Sequence, residues 1–465
     1  MKQKIVVLLA LLLVFGLVAA SCAPTPAVEE PVMEEKPVEE APVAEEPPAA
    51  VTGEVYFLNF KPEVAEIYEQ IAAAYNAETG NTLKVVTAAA DTYEQTLRSE
   101  VAKADPPVLF QINGPRGYEN WKDYTAELSG TELYAHLTDK TLAVTSGGGV
   151  YGIPYVVEGY GIIYNEAIME KYFATAGALA SSMADINNFA TLKAVVEDMT
   201  AKKAELGIQG VFSSTSLLPG EDWRWQTHLA NVPIFYEIRD NNMDIADDTA
   251  FETIKFQYAE NFKNIFDLYI NNSVTAPTLL GSKSVDDSMA EFALGQSAMV
   301  QNGNWAWGQI SGVSGNVVLP EDVKFLPIYM GMPGEENQAI CVGTENFFSI
   351  NSQAPADKQK LAADFIWWLF SSPTGKAFVT NDLGFIAPFD TFAEDERPTD
   401  PLARSLLAYT DNTSLYNVAW SFVVFPSQDF KNSFGGALLQ YAQGQLPWED
   451  VTQLFIEQWA IEAAK

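Results

Sequence analysis

The run Glu54-Val-Tyr-Phe-Leu58, read with the helix signals directly beyond it, decides the class of fold. Apolar and aromatic residues in so short a stretch read as a strand. Pro62 then opens a helix at its first turn, where a missing N–H costs nothing. Val64, Ile67, Ile71 and Tyr75 share one helical face, and Gly80 ends the helix. Leu83 to Thr87 is a second strand. Asp91 with Glu94 reads as a capping box, opening a second helix that runs to about Ala104. Pro107 to Gln111 is a third strand. This strand–helix–strand spacing implies an α/β fold with a parallel sheet and helices on its faces. Ligands bind such sheets at the carboxyl ends of the strands, so the loops after Leu58, Thr87 and Gln111 are expected to face a cleft.

Further along, the chain is rich in helix. Thr191 to Leu206 and Phe251 to Asn271 are amphipathic. Lys358 to Phe370 follows Pro355 and is expected to bury Leu361, Phe365, Trp368 and Leu369. Ser372-Pro373 caps the next helix, and Pro447 to Ala464 forms the last.

Upstream of the first strand the chain changes character. Lys2 and Lys4 precede a charge-free run from Ile5 to Ala20, too short to span a bilayer comfortably. It ends in Ala19-Ala20-Ser21-Cys22, small residues before a cysteine, which resembles a bacterial lipoprotein processing site. Residues 1–21 are therefore read as a signal peptide and Cys22 as the lipidation site. From Ala23 to Gly53, paired glutamates such as Glu29-Glu30 and Glu45-Glu46 alternate with prolines. Like charges and prolines keep such a segment extended, so residues 22–53 read as a disordered acidic spacer.

The charge excludes one broad class of function. With 27 basic and 61 acidic residues the formal net charge is -34, a field that repels phosphate backbones. No nucleic-acid partner is expected. The two cysteines are Cys22 and Cys341. With Cys22 acylated, Cys341 has no disulfide partner and reads as a small core residue. The two histidines, His136 and His228, are too few to argue for a transition-metal site, and no cofactor is expected. Gly147-Gly148-Gly149 lacks the Lys-Ser/Thr of a phosphate loop and reads as a turn.

Two stretches place tryptophans beside polar groups: Glu221-Asp-Trp-Arg-Trp-Gln226 and Asn302-Gly-Asn-Trp-Ala-Trp307. A sugar has an apolar C–H face and a rim of hydroxyls. Its site needs flat aromatic faces for the first and amides, carboxylates or guanidiniums for the second. Each of these tryptophans read alone is as readily core. Trp367 and Trp368 lie in an amphipathic helix and read as core. Glu158, Glu221, Asp222 and Glu345 are candidate glycosidase carboxylates by composition alone, since nothing in their spacing pairs them.

Longer segments carry a family resemblance. Tyr151-Gly-Ile-Pro-Tyr-Val-Val-Glu-Gly-Tyr-Gly-Ile-Ile-Tyr-Asn165 resembles the lobe-crossing segment of the family 1 extracellular solute-binding proteins of ABC sugar importers. Phe292 to Trp307 resembles the family's F-x-x-G-x-x-A-M-x-x-N-G-x-W segment, and Leu383-Gly-Phe-Ile-Ala-Pro388 is similar to a run in its sugar-binding members. The resemblance implies a two-lobed periplasmic-binding-protein-like fold of type II, its lobes joined by crossing strands. Residues 54–157 and 349–420 would form lobe 1, and 158–348 with 421–465 lobe 2. Crossings are expected near Glu158, near Phe348 and at Trp420 to Pro426. Glu158 is then a sugar-hydroxyl acceptor, Trp305 a stacking platform and Asn113 a polar contact. Asn59, Gln111, Tyr160, Trp223, Arg224, Trp225, Asn302, Asn304, Glu345 and Trp420 complete the implied ligand set.

Some positions depart from the maltodextrin-binding member of that family. Asn304 stands in place of a proline, Gln111 in place of a tryptophan, and the loop Asn59 to Pro62 is short. These argue for a different or shorter sugar. The function implied is capture of a carbohydrate by a lipid-anchored monomer on the extracytoplasmic face of the membrane. Hinge closure would deliver it to the membrane subunits of an ABC importer, with no catalysis. A binder of a polyamine or metal complex, and less so a secreted glycoside-acting enzyme, are the alternatives.

Overall fold

The computed structural model describes residues 53–88, 92–243, 254–421 and 425–463. Residues 1–21, Cys22 and the spacer to residue 52 lie outside the described residues. So do Asp91 of the expected capping box and the start of the expected helix from Phe251.

The first sheet is built around β1 (Glu54–Asn59), which pairs in parallel with β2 (Thr82–Thr87) and β3 (Leu109–Asn113). β1 is buried on both faces beyond Glu54, which is why its sequence is continuously apolar rather than alternating. One face packs on the helix Ala65–Thr79 through Tyr68, Ile71 and Tyr75. That helix stops at Gly80, whose φ of 74° is the left-handed cap expected of glycine. The other face meets Tyr93 and Leu97 of the helix Tyr93–Val101, which ends earlier than the expected Ala104. β3 starts beyond Pro107, which has no N–H to give to a ladder.

The sheet is mixed rather than wholly parallel. Its order is β2-β1-β3-β10-β5-β4, where β4 is Val144–Ser146, β5 is Gly149–Pro154 and β10 is Asn346–Ile350. β10 runs antiparallel to β3 and β5 because it returns from the second lobe. Gly147 and Gly148, at φ 56° and 87°, turn the chain between β4 and β5.

The second sheet has the order β11-β9-β6-β7, where β6 is Glu158–Asn165, β7 Met299–Gly303, β9 Gln338–Gly343 and β11 Tyr416–Ala419. β8 (Val323–Leu326) pairs with the second half of β6. Helices Phe189–Ala201, Ala230–Asp240, Ala259–Asn271, Gln428–Ala442 and Trp448–Ala463 enclose the second core. The expected helix from Thr191 to Leu206 breaks at Lys202, leaving a separate turn at Lys203–Leu206.

The chain passes between the sheets at Tyr155 to Val157 and again at Thr344 to Glu345. Val157 is bridged to Ile386, which places the Leu383 to Pro388 segment beside the first crossing. The third passage differs from expectation. Helix Ala356–Ser371 packs on the first sheet, but helix Pro401–Thr410 and β11 belong to the second. Leu402 and Leu406 sit in a core with Ile163 and Phe325. Gly159 leaves the room, since a Cβ there would stand 2.5 Å from Leu406 Cδ1. The last passage therefore falls between Phe392 and Pro401, and residues 401–419 are not part of lobe 1. Trp420 and Phe425 are buried in the second core rather than spanning the lobes, and 422–424 lie outside the described residues.

Candidate functional site

A cleft of about 610 Å³ opens where the carboxyl end of the first sheet faces the second lobe. Its first wall is the loop after β1, Phe60 to Glu63, with Asn113 at the end of β3. Asn59 and Gln111 do not reach it. Asn59 is fully buried, its amide donating to Lys61 O at 2.8 Å and accepting from Lys61 N at 3.1 Å. Gln111 accepts from Phe60 N and donates to the Tyr155 hydroxyl. Both shape the loop and tie it to the first crossing instead of meeting a ligand.

The floor carries Glu158 and Glu345, one from each of the first two crossings. Glu158 already has a partner. Lys61 Nζ lies 2.8 Å from Oε1 and 3.0 Å from Oε2, with both side chains buried. Burial works against the Lys61 ammonium, but Glu158 and Glu63 outweigh it and hold its pKa above the ordinary value. Burial pushes the Glu345 carboxyl above the ordinary carboxylate value, against the pull of Lys431 and Lys61.

The opposite wall comes from the second lobe. Arg224–Leu229 forms a π-helical turn leading into Ala230–Asp240. Its wider turn brings Arg224, Gln226, Thr227 and His228 to the cleft, while Trp225 points into the core, 1 % exposed. Trp225 Nε1 donates to Ser216 O at 3.0 Å, so this tryptophan is not a ligand face. Tyr160 is likewise interior, its hydroxyl donating to His228 O at 2.9 Å. Glu221 fastens the preceding loop by accepting from Val285 N at 2.7 Å.

Trp223, Trp305 and Trp420 line the cleft around His228. Trp305 stands 6.0 Å from Trp223, 5.5 Å from His228 and 6.5 Å from Trp420, centroid to centroid. Glycines set two of these rings: a Cβ on Gly303 would lie 2.1 Å from the Trp305 ring, and one on Gly343 2.5 Å from Trp420 Cγ. Burial, with Arg224, Lys431 and Lys61 facing it, holds His228 well below its ordinary pKa, so the imidazole is neutral.

Asn302 and Asn304 support this wall from beneath. Asn302 Oδ1 accepts from Arg224 Nε at 3.0 Å, and Asn304 Oδ1 accepts from Gly159 N at 2.9 Å. Of the residues expected to meet a ligand, the structure brings Asn113, Glu158, Trp223, Arg224, Trp305, Glu345 and Trp420 to one cavity. Asn59, Gln111, Tyr160, Trp225, Asn302 and Asn304 lie behind it.

The cleft also holds residues that the sequence did not single out: Lys61, Glu63, Gln226, Thr227, His228, Asp286, Gln309, Gln428 and Lys431. Lys61 had a signal, since it sits in a loop expected to face a cleft. Lys431 and Gln428 had none, because they come from the first turns of a helix distant in sequence. Asn113 Oδ1, Trp305 Nε1 and Gln309 Oε1 are buried and find no hydrogen-bond partner among the described residues. Carboxylates of Glu63, Glu158, Glu221, Asp222, Asp286 and Glu345 outnumber the cations Lys61, Arg224 and Lys431 in the lining. Among the described residues no group of three His, Cys, Asp or Glu could hold a metal ion, and no helix is long and apolar enough to cross a membrane.

The family model of the bacterial extracellular solute-binding proteins matches residues 70–404. The chain belongs to that family. Solved structures of similar fold include a chitin oligosaccharide binding protein, 17% identical, with a TM-score of 0.67 over 89% of this chain and 100% of that one. The solute-binding protein RafE in complex with raffinose is 17% identical, with a TM-score of 0.64 over 88% and 100%. A maltose-bound protein of T. maritima is 14% identical, with a TM-score of 0.65 over 88% and 100%. At such identities the likeness is one of fold, two α/β lobes about a cleft. No curated protein sequence matches the chain. Proteins of this family bind solutes, and the cleft of this solute-binding protein is where its fold exposes aromatic faces beside unpaired polar atoms.

Proposed function

We propose that this solute-binding protein captures a carbohydrate in the interlobe cleft and delivers it to the membrane subunits of an ABC importer. One observation carries the reading: three tryptophans and three unpartnered buried polar atoms line the same cavity. A sugar offers a C–H face to the first and hydroxyls to the second. The cleft volume suits a short oligosaccharide. Three proteins of similar fold bind chitin oligosaccharide, raffinose and maltose, which points the same way.

In this reading Trp305 and Trp223 are stacking faces, Asn113 and Glu345 take hydroxyls, and the two lobes close on the sugar as a monomer. No bond is made or broken, so no residue has a catalytic duty. A lipid on Cys22 and the acidic spacer would hold the cleft near its importer, since two or more acyl chains anchor stably where one does not. Calorimetry over a panel of mono- and oligosaccharides tests it. At least one sugar should bind without turnover, and Trp305→Ala should weaken it about tenfold or more, the equivalent of ~1.4 kcal/mol. Unchanged affinity in Trp305→Ala removes that residue as a platform, and a panel with no binder removes the carbohydrate.

A further inference from the structure

Arg224 is 4 % exposed, yet its guanidinium is only partly satisfied. Nε donates to Asn302 Oδ1 at 3.0 Å, and Cζ stacks 3.8 Å from the centre of the Trp223 ring. No hydrogen bond or ion pair is found for the two terminal nitrogens among the described residues, and neither is among the buried unpaired atoms, so both are open to the cleft. The residue itself lines the cleft. The N–H groups of those two nitrogens are available to whatever enters the cleft. Held from one side by Asn302 and flat against Trp223, the fork is preset to meet two adjacent acceptors.

We infer that Arg224 anchors the ligand in the second lobe by gripping two neighbouring ring hydroxyls of a neutral sugar, and that a carboxylated sugar is rejected. This rests on the carbohydrate reading and adds its class. Two adjacent acceptors occur in both a carboxylate and a vicinal diol, and the surroundings choose between them. Carboxylates outnumber cations in the lining, so a further carboxylate enters against repulsion. Asn113 Oδ1 and Gln309 Oε1 are unpaired acceptors that need a donor. A hydroxyl accepts from Arg224 and donates elsewhere at once, whereas an ionised carboxylate only accepts.

The test is calorimetry on the full chain with maltose, cellobiose, xylobiose and chitobiose, and with digalacturonate as the acidic probe. Variants Arg224→Lys and Asn302→Ala are compared after circular dichroism confirms their fold. The expected result is that a neutral disaccharide binds at least about tenfold more tightly than digalacturonate. Arg224→Lys should lose about tenfold or more of that affinity, because a point charge cannot grip both hydroxyls. Asn302→Ala should lose less. Digalacturonate binding as tightly as the best neutral sugar, or full affinity in a folded Arg224→Lys, overturns the inference and leaves the carbohydrate reading standing. No binding by any sugar overturns both. The wild-type comparison needs no variant, so it decides even where Arg224→Lys does not fold.

Discussion

Lys61 Nζ lies 2.8 Å from Glu158 Oε1 and 3.0 Å from Oε2, joining the loop after the first strand to the strand that carries the chain into the second lobe. The pair is buried, its side chains 8% and 3% exposed. Such a pair adds little over apolar packing while both partners are present, but losing one strands the other. The pair also keeps the Glu158 carboxylate satisfied, so in the proposed reading a sugar hydroxyl would share Glu158 with Lys61.

Lys61→Met therefore lowers stability by about 3–5 kcal/mol, the cost of an uncompensated buried carboxylate. Lys61→Met with Glu158→Leu should recover much of that loss. Urea titrations of the two single variants and the double variant measure the coupling, and strictly additive effects would show that the ion pair is not what links them.

Gly303→Ala places a Cβ 2.1 Å from the Trp305 ring, and Gly343→Ala one 2.5 Å from Trp420. The backbone does not require glycine at 303, where φ is -104°, so the effect there comes from crowding alone. Each substitution should cost roughly 1–3 kcal/mol of stability and tilt a ring away from the cleft. Tryptophan fluorescence of the folded variants should shift, and sugar titration should show weaker binding; an unchanged spectrum and affinity would mean the rings are not set by these glycines.

Glu345 has a folded pKa raised above 4.5, chiefly by burial. A raised carboxyl binds its proton more tightly in the folded state, so it favours folding below its unfolded pKa. That advantage is lost as pH rises through the folded pKa. Glu345→Gln should thus melt higher than the native protein at about pH 7, with the gain shrinking near pH 4. Melting curves at both values check the sign. In the proposed reading Glu345 takes a sugar hydroxyl, so sugar binding should weaken in the same variant.

Cys341 is fully buried and its thiol is pushed up to about 12 by burial. In a Cys22→Ser variant, Ellman's reagent should find no reactive thiol at about pH 8 until denaturant is added, and then one. Prompt labelling of the folded variant would contradict a buried, inert Cys341.

Much was legible in one dimension. The continuous apolar run of β1, Pro62 at a helix start and Gly80 at its end define strand–helix–strand units by local rules that depend on neighbours a few residues away. The aromatic and amide runs around Trp223 and Trp305 are visible in the same local way, whereas the two-lobed family is read from a resemblance over longer segments. Which side of each run meets the cleft was not legible. Trp223 and Trp225 are two residues apart, and the π-helical turn sends one to the cavity and the other to the core. Asn59 and Gln111 are polar at the ends of strands, as ligand contacts are, but full burial turns them into braces for the loop. Lys431 reaches the cavity from a helix hundreds of residues beyond Lys61. The third passage between lobes was misplaced because Leu406 fits against Gly159, a contact between distant residues that no local pattern announces. Sequence determined the elements, since propensity, capping and periodicity act locally. Tertiary structure alone decided which polar groups were left unpaired at the cleft, because satisfaction of a buried group depends on whatever the rest of the chain brings to it.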